Sequence, residues 1–215
     1  NRENAAHPLR LALLSQSTLK HWREDDGLAG FEWRRNGKLV TFRNPGSFDH
    51  ARKGLADPRQ QQVLSASECA QLEPALANGP FVGAIYTPDE EVGDCHAFCQ
   101  LLAERLTASG RCEWRLGQAV TGIRHANGSV NAIELGEQVL PVDQLVIAAG
   151  HRSPLLHLPG LQLPLYPLKG YSLTVPISAS HQAPDVSITD YDRKIVYARI
   201  GAQLRVAAMV DIVGF

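Results

Sequence analysis

The run Leu145-Val146-Ile147-Ala148-Ala149, closed by Gly150, is the longest strongly apolar stretch of the chain, and it decides how the middle is read. Five apolar residues without alternation, ended by a glycine, predict a strand buried on both faces, the pattern of a parallel sheet covered by helices. The preceding residues fit such a layered α/β segment. Asp94 is placed to cap a helix in which Cys95, Phe98, Cys99, Leu102 and Leu106 recur at i, i+3, i+4, i+7 and i+11, with Gly110 as its stop. Cys112 to Arg115 reads as extended. Gln118 to His125 and Ser129 to Leu135 then pair about Asn127-Gly128, a type I′ turn signal, and Gln138 to Val142 completes a β-meander.

Downstream, prolines at 154, 159, 164 and 167 break helices and mark a crossing between structural units. Beyond them Tyr166 to Pro176, Val186 to Thr189, Ile195 to Ile200 and Leu204 to Val213 all read as strands, which predicts a large, mainly antiparallel sheet. Upstream, residues 3 to 25 predict a helix with Leu9, Leu13, Leu14 and Trp22 on one stripe. A hairpin is expected over Phe31 to Phe42 with Asn36-Gly37 at its turn, then a polar helix from Ser47 to Ala56. Ser65 and Glu68 have capping-box spacing and open a helix to Leu76, and Phe81 to Thr87 is a strand. The fold class is α+β with an α/β middle.

Composition removes several functions. The 215 residues carry 21 Lys plus Arg against 22 Asp plus Glu, and a net charge of -1 without a basic cluster argues against nucleic acid. No apolar stretch approaches the roughly 18 residues of a membrane span, and no basic-then-apolar leader opens the chain. The four cysteines contain no C-x-x-C pair, so reduced, cytosolic thiols are expected; Cys95 and Cys99 read as two small apolar residues facing a core, and no metal site is expected. No two of the 18 glycines lie two apart, which excludes G-x-G-x-x-G from this window. Gly170-Tyr171-Ser172-Leu173-Thr174 lacks the second glycine of a nucleophile elbow, leaving Ser172 as a strand residue.

Three stretches carry more specific information: Tyr86-Thr87-Pro88-Asp89-Glu90-Glu91-Val92-Gly93-Asp94-Cys95, Leu165 to Ile177 around Lys169-Gly170-Tyr171, and Leu204 to Phe215. In order and throughout the chain, they resemble the D-amino acid dehydrogenase small-subunit group of the D-amino acid oxidase family of flavoproteins. The resemblance implies a large substrate-domain sheet plus part of a Rossmann-like FAD-binding domain. It implies 1–88 and 161–215 as the two parts of the substrate-binding domain, and 89–160 as part of the FAD-binding domain. It also implies FAD as cofactor of the full-length protein, a D-amino acid as substrate and a respiratory electron acceptor as partner. The expected location is cytoplasmic, at the cytoplasmic face of the inner membrane as a peripheral protein.

By the same resemblance, the backbone of Val120 in the first meander strand holds the adenine end of the flavin dinucleotide, and Ala148, Ala149 and Gly150 pass close to the cofactor, where small side chains leave room. Lys169, Gly170 and Tyr171 reach toward the substrate side, with Lys194, Arg199 and Arg205 at matching positions in the last strands. A cation would hold a substrate carboxylate and a tyrosine hydroxyl would orient it; a charge snorkelling off a sheet edge is the plainer account of each Lys or Arg. No catalytic residue is assigned. Ala207-Ala208 stands where this group usually has Gly-Gly, and His151-Arg152 replaces smaller or aromatic residues.

Asn1 in place of Met, and an end inside the strand-like run Val210 to Phe215, point to a piece of a longer protein with G-x-G-x-x-G upstream of Asn1. The fragment alone is then expected to be inactive and to hold no flavin. Two other readings remain open: another amine-oxidising flavoenzyme such as glycine or sarcosine oxidase, and a non-catalytic binding module.

Overall fold

A computed structural model describes residues 2–55, 57–156 and 162–212. In chain order these form α1 (Arg2–Glu24), β1 (Arg34–Arg35), β2 (Lys38–Phe42), α2 (Pro45–Lys53), β3 (Gln62–Ser65), α3 (Ala66–Leu72), β4 (Gly83–Thr87), β5 (Glu91–Val92) and α4 (Cys95–Ala108). Then come β6 (Gly122–Ala126), β7 (Ser129–Leu135), β8 (Gln138–Pro141), β9 (Leu168–Pro176), β10 (Ser187–Asp190), β11 (Ile195–Ile200) and β12 (Gln203–Ile212). Short 3-10 helices occupy Pro74–Leu76 and Gly150–Leu156. The chain divides into a larger unit, Asn1–Gly110 with Tyr171–Met209, and a smaller one, Arg111–Gly170 with Val210–Phe215.

The larger unit is built on a seven-stranded sheet in the order β3-β4-β2-β10-β11-β12-β9. It joins strands from both ends of the sequence, as expected, and is mainly antiparallel. Within it β2 and β10 run parallel, with Leu39 opposite Ile188 and Thr41 opposite Asp190. One face carries the core: Leu39, Ala84 and Ile188 are buried on it, Cys69 of α3 and Val186 close over it, and Leu64, Leu76, Tyr86 and Tyr197 pack against it. Leu39, Val186 and Ile188 each contribute about 1.5–3 kcal/mol of transfer free energy.

Local caps form where the side chains allow them. Asn44 Oδ1 accepts from the Gly46 and Ser47 N–H groups at 2.7 and 3.3 Å and starts α2. Ser65 and Glu68 make a reciprocal capping box, the Glu68 N–H donating to Ser65 Oγ and the Ser65 N–H to Glu68 Oε2. The helix expected to reach Leu76 ends at Leu72, because Pro74 has no N–H to continue it and Glu73 is extended.

Four expectations are corrected. Residues 31 to 42 do not form a hairpin: β1 pairs with β5, while β2 enters the large sheet between β4 and β10. The Asn36-Gly37 turn switches sheets instead, since the Gly37 N–H donates to the Glu90 carbonyl at 3.1 Å and Asn36 Nδ2 donates to the Asp185 carbonyl. On α1, Leu9, Leu13 and Leu14 are exposed, and the stripe finds a partner only near Trp22, which stacks on Phe98. On α4, the half-buried positions are Ala97, Phe98, Leu101, Leu102 and Ala103, whereas Cys95, Cys99 and Leu106 face outward. Cys95 and Cys99 are therefore not core residues.

The fourth correction lies in the smaller unit, a three-stranded β6-β7-β8 meander. Asn127 and Gly128 have φ of 53° and 79°, the two positive values that a type I′ turn needs. Residues 112–115 form no strand, and β6 begins at Gly122 rather than Gln118. Leu145 to Ala149 is likewise not a strand, and Val146 is 87% exposed. A parallel strand takes every ladder hydrogen bond from its neighbours. Among the described residues no strand pairs with this run.

Candidate functional site

Val120, Ala148, Ala149, Gly150 and Lys169 belong to the smaller unit, and Tyr171, Arg199 and Arg205 to the larger one. Val120 is exposed and stands two residues before β6, at the point where the Thr121 N–H enters the ladder by donating to the Glu134 carbonyl at 2.8 Å. It is thus at the mouth of the meander rather than inside a strand. Ala148, Ala149 and Gly150 are exposed and lead into the 3-10 turn.

Gly150 has φ +56°, a value that favours glycine, and a Cβ built there would meet no atom within 4 Å. Crowding by the protein therefore does not account for this glycine among the described residues. The three small residues form an accessible stretch of chain.

In the larger unit the register separates the arginines. Arg205 is opposite Ala198, and Arg199 is opposite Leu204, so the two guanidinium groups leave the sheet on opposite faces. Arg205 Nη2 donates to Ser172 Oγ at 3.1 Å, which places Ser172 on the Arg205 face and its neighbour Tyr171 on the Arg199 face. Arg199 Nη1 donates to Asp185 Oδ1 at 2.9 Å, and the Arg199 carbonyl accepts from Arg34 Nη2. Arg34 also lies 3.7 Å from the same carboxylate. Arg199 is thereby committed to an internal cluster, while the hydrogen bond of Arg205 goes to an uncharged hydroxyl.

Lys194 precedes β11 in a left-handed conformation, φ 58°, and its Nζ lies 3.7 Å from the centre of the Tyr191 ring. Its ammonium is stacked within its own turn. Ala207, opposite Val196, keeps β12 regular, but Met209 has φ 64°, an unusual backbone for a non-glycine residue, two positions after it.

Sequence reasoning missed Ser172 as the neighbour of Arg205, although both residue types and the strands were visible. The missing signal was the register of β9 against β12. It also missed Glu73, a buried carboxylate whose oxygens accept from the Ala75, Asp185 and Val186 N–H groups at 3.2, 2.8 and 3.1 Å. That carboxylate fastens the entrance of β10 beside Asp185.

The cysteines have separate environments. Burial, with a smaller contribution from the Glu68 charge, pushes the Cys69 thiol up to about 11, which makes it a poor nucleophile. Among the described residues no group of three metal-ligating side chains converges.

The family model described as FAD dependent oxidoreductase matches residues 2–215. The chain is 67% identical to D-amino acid dehydrogenase 2 of Pseudomonas aeruginosa over its whole length, covering 52% of that protein. It is 39% identical to D-amino acid dehydrogenase 2 of Ralstonia nicotianae, again over all of this chain and 54% of the relative. The chain thus spans about half the length of the curated relatives it matches. Among solved structures, glycine oxidase from Geobacillus kaustophilus superposes with a TM-score of 0.74 at 20% identity, covering 96% of this chain and 56% of that one. L-proline dehydrogenase from P. horikoshii gives 0.72 at 11% identity, covering 89% and 53%. These two likenesses concern the fold.

Proposed function

This chain belongs to the FAD dependent oxidoreductase family, and from that premise we propose that the protein carrying it oxidises D-amino acids at the α-carbon. The product is an imine, which hydrolyses to a 2-oxo acid and ammonia. The observation that carries this reading is the 67% identity to a D-amino acid dehydrogenase across all 215 residues.

FAD, when bound, supplies the acceptor for the electron pair that leaves with the α-hydrogen. The chain's own residues bind and orient. Val120 and the segment Ala148-Ala149-Gly150 are the cofactor side of the proposal, supported by exposed backbone and by the open space at Gly150. On the substrate side, Arg205 is the cation available for a carboxylate, since its neighbour Ser172 is uncharged. Lys169 and Tyr171 complete the proposed set, and Arg199 acts as a support for Asp185. Residues 1–88 and 161–215 form the substrate-binding domain and 89–160 contribute to the FAD-binding domain. The large sheet built from β2–β4 and β9–β12 supports the first half of that division.

The electrons pass on to a respiratory acceptor, with the protein at the cytoplasmic face of the inner membrane; among the described residues no helix is long and apolar enough to cross a membrane. By itself the chain retains no flavin. The test is dye reduction by the full-length protein loaded with FAD, against a panel of D- and L-amino acids, glycine and sarcosine. Reduction by several D-amino acids is expected. Turnover of only glycine or sarcosine with oxygen as acceptor would replace this reading by an oxidase, and absence of FAD binding by a non-catalytic module.

A further inference from the structure

A cavity of about 500 Å³ opens in the larger unit beside the C-terminal half of α1. Its volume falls in the range of small-molecule sites. Trp22, Phe31, Trp33 and Phe98 form the aromatic part of its wall, and Leu11, Leu14, Leu19 and Val92 an aliphatic part. Phe98 stacks on Trp22 with centroids 6.2 Å apart and meets Phe31 edge to face at 5.3 Å, so the three rings hold one another in place. Trp33 completes the wall, and the Arg23 guanidinium carbon sits 3.2 Å from its ring centre. That indole already attracts a cation.

Two carboxylates line the same cavity, Glu91 and Asp94, and no Lys, Arg or His does. Glu91 Oε2 accepts from Trp33 Nε1 at 3.0 Å, and Asp94 Oδ1 accepts from the His96 and Ala97 N–H groups at 2.9 and 3.2 Å. Each carboxylate thus uses one oxygen to hold its own position. Among the described residues, Glu91 Oε1 and Asp94 Oδ2 make no hydrogen bond, and neither residue pairs with a cation.

Ring faces attract cations, two carboxylates without a counter-charge attract them further, and the apolar volume favours an organic group over a hydrated metal ion. We propose that this cavity binds an organic ammonium ion bearing an aromatic or branched apolar group. The ammonium lies at Glu91 and Asp94, and the apolar body lies against Trp22, Phe31, Trp33 and Phe98. A zwitterionic amino acid fits poorly, because its carboxylate would face the other two. The site shares no residue with the proposed flavin and substrate sets and stands independently of them.

The test is calorimetric titration of the FAD-loaded protein carrying residues 1–215 with 2-phenylethylammonium, and with D-phenylalanine and 3-phenylpropan-1-ol as zwitterionic and neutral comparators. The E91Q/D94N variant removes both charges yet keeps the acceptor for Trp33 and a competent helix cap, since Asn caps as well as Asp. The amine is expected to bind about ten-fold tighter than the alcohol, to lose about ten-fold in the variant, and to leave the alcohol within about two-fold. If the double variant does not fold, E91Q alone serves, with a loss of roughly three-fold expected. Amine binding no tighter than the alcohol, or unchanged on removal of the charge, would overturn the proposal.

Discussion

Arg199 and Arg205 leave the seven-stranded sheet on opposite faces, Arg205 opposite Ala198 and Arg199 opposite Leu204 in the adjoining strand. They cannot share one carboxylate. Arg199 already binds Asp185 at 2.9 Å, while Arg205 donates to the neutral Ser172 hydroxyl. In FAD-loaded full-length protein, R205A is expected to raise KM for D-amino acids at least ten-fold, the loss of one charge-assisted contact, about 1.5–3 kcal/mol. R199A should change KM less than about two-fold and stability by less than about 1 kcal/mol, since Asp185 is 72% exposed. Steady-state kinetics on both variants decides, and the reverse ranking would exchange the roles of the two faces.

The parallel strands β2 and β10 are joined near their ends by an ion pair. Arg43 Nε donates to Asp190 Oδ2 at 2.7 Å where β2 and β10 end together, and Asp190 has no exposed side-chain surface. Its other oxygen accepts from the Arg193 N–H at 3.1 Å. Removing Arg43 leaves a buried carboxylate without a counter-charge, so R43A should cost about 3 kcal/mol or more in urea unfolding. A loss below about 1 kcal/mol would mean that water reaches the carboxylate freely.

The two Asn-Gly turns separate conformation from crowding. Gly37 and Gly128 have nearly equal φ, +80° and +79°. A Cβ at Gly37 would come within 2.5 Å of the Tyr86 ring, whereas one at Gly128 meets nothing within 4 Å. G128A should therefore cost only the left-handed penalty, about 1 kcal/mol, and G37A about 1–3 kcal/mol more. Equal losses in thermal or urea unfolding would show that Tyr86 swings aside without cost.

The capping box at α3 adds a pH dependence. The Ser65 hydroxyl, and after it the Ser65 N–H, hold the Glu68 carboxyl below its usual range. A lowered folded-state pKa contributes stability above the ordinary carboxylate pKa, and that stability is lost as pH falls through the lowered value. S65A should cost about 1 kcal/mol at neutral pH and flatten the acid limb of the stability profile. An acid limb of unchanged slope would leave Glu68 without that role.

These turns and caps also mark what was legible in the sequence. Ser65 with Glu68, Asp94 and Asn127-Gly128 act within four residues, so side-chain chemistry alone placed them, whereas the Asn44 cap, which starts α2 at Pro45 rather than Ser47, was not read from the sequence. Asn36-Gly37 has the same local chemistry, yet its strands separate because their partners, Glu90 and Asp185, lie far along the chain. Arg205 was found through resemblance, but its pairing with Ser172 depends on a strand register that alternation cannot supply. Periodicity on α1 and in Leu145 to Ala149 reports burial without saying what covers it.

That last run yields the final prediction. Val146 is 87% exposed beside half-buried Leu145 and Ile147, in a segment with the composition of a strand enclosed on both faces. A valine side chain gains about 1.5–3 kcal/mol when it is fully buried. If full-length protein supplies the neighbouring strands, a lysine at this position would bury an unpaired charge there and disrupt the adjoining Ala148-Ala149-Gly150 backbone proposed to lie along the flavin. V146K is then expected to abolish flavin retention in the full-length protein, read by visible absorbance after gel filtration, while changing the thermal midpoint of residues 1–215 alone by less than about 2 °C, because the side chain there meets solvent. Flavin retained at wild-type occupancy would show that this run remains exposed in the longer protein and would remove Ala148 to Gly150 from the cofactor site.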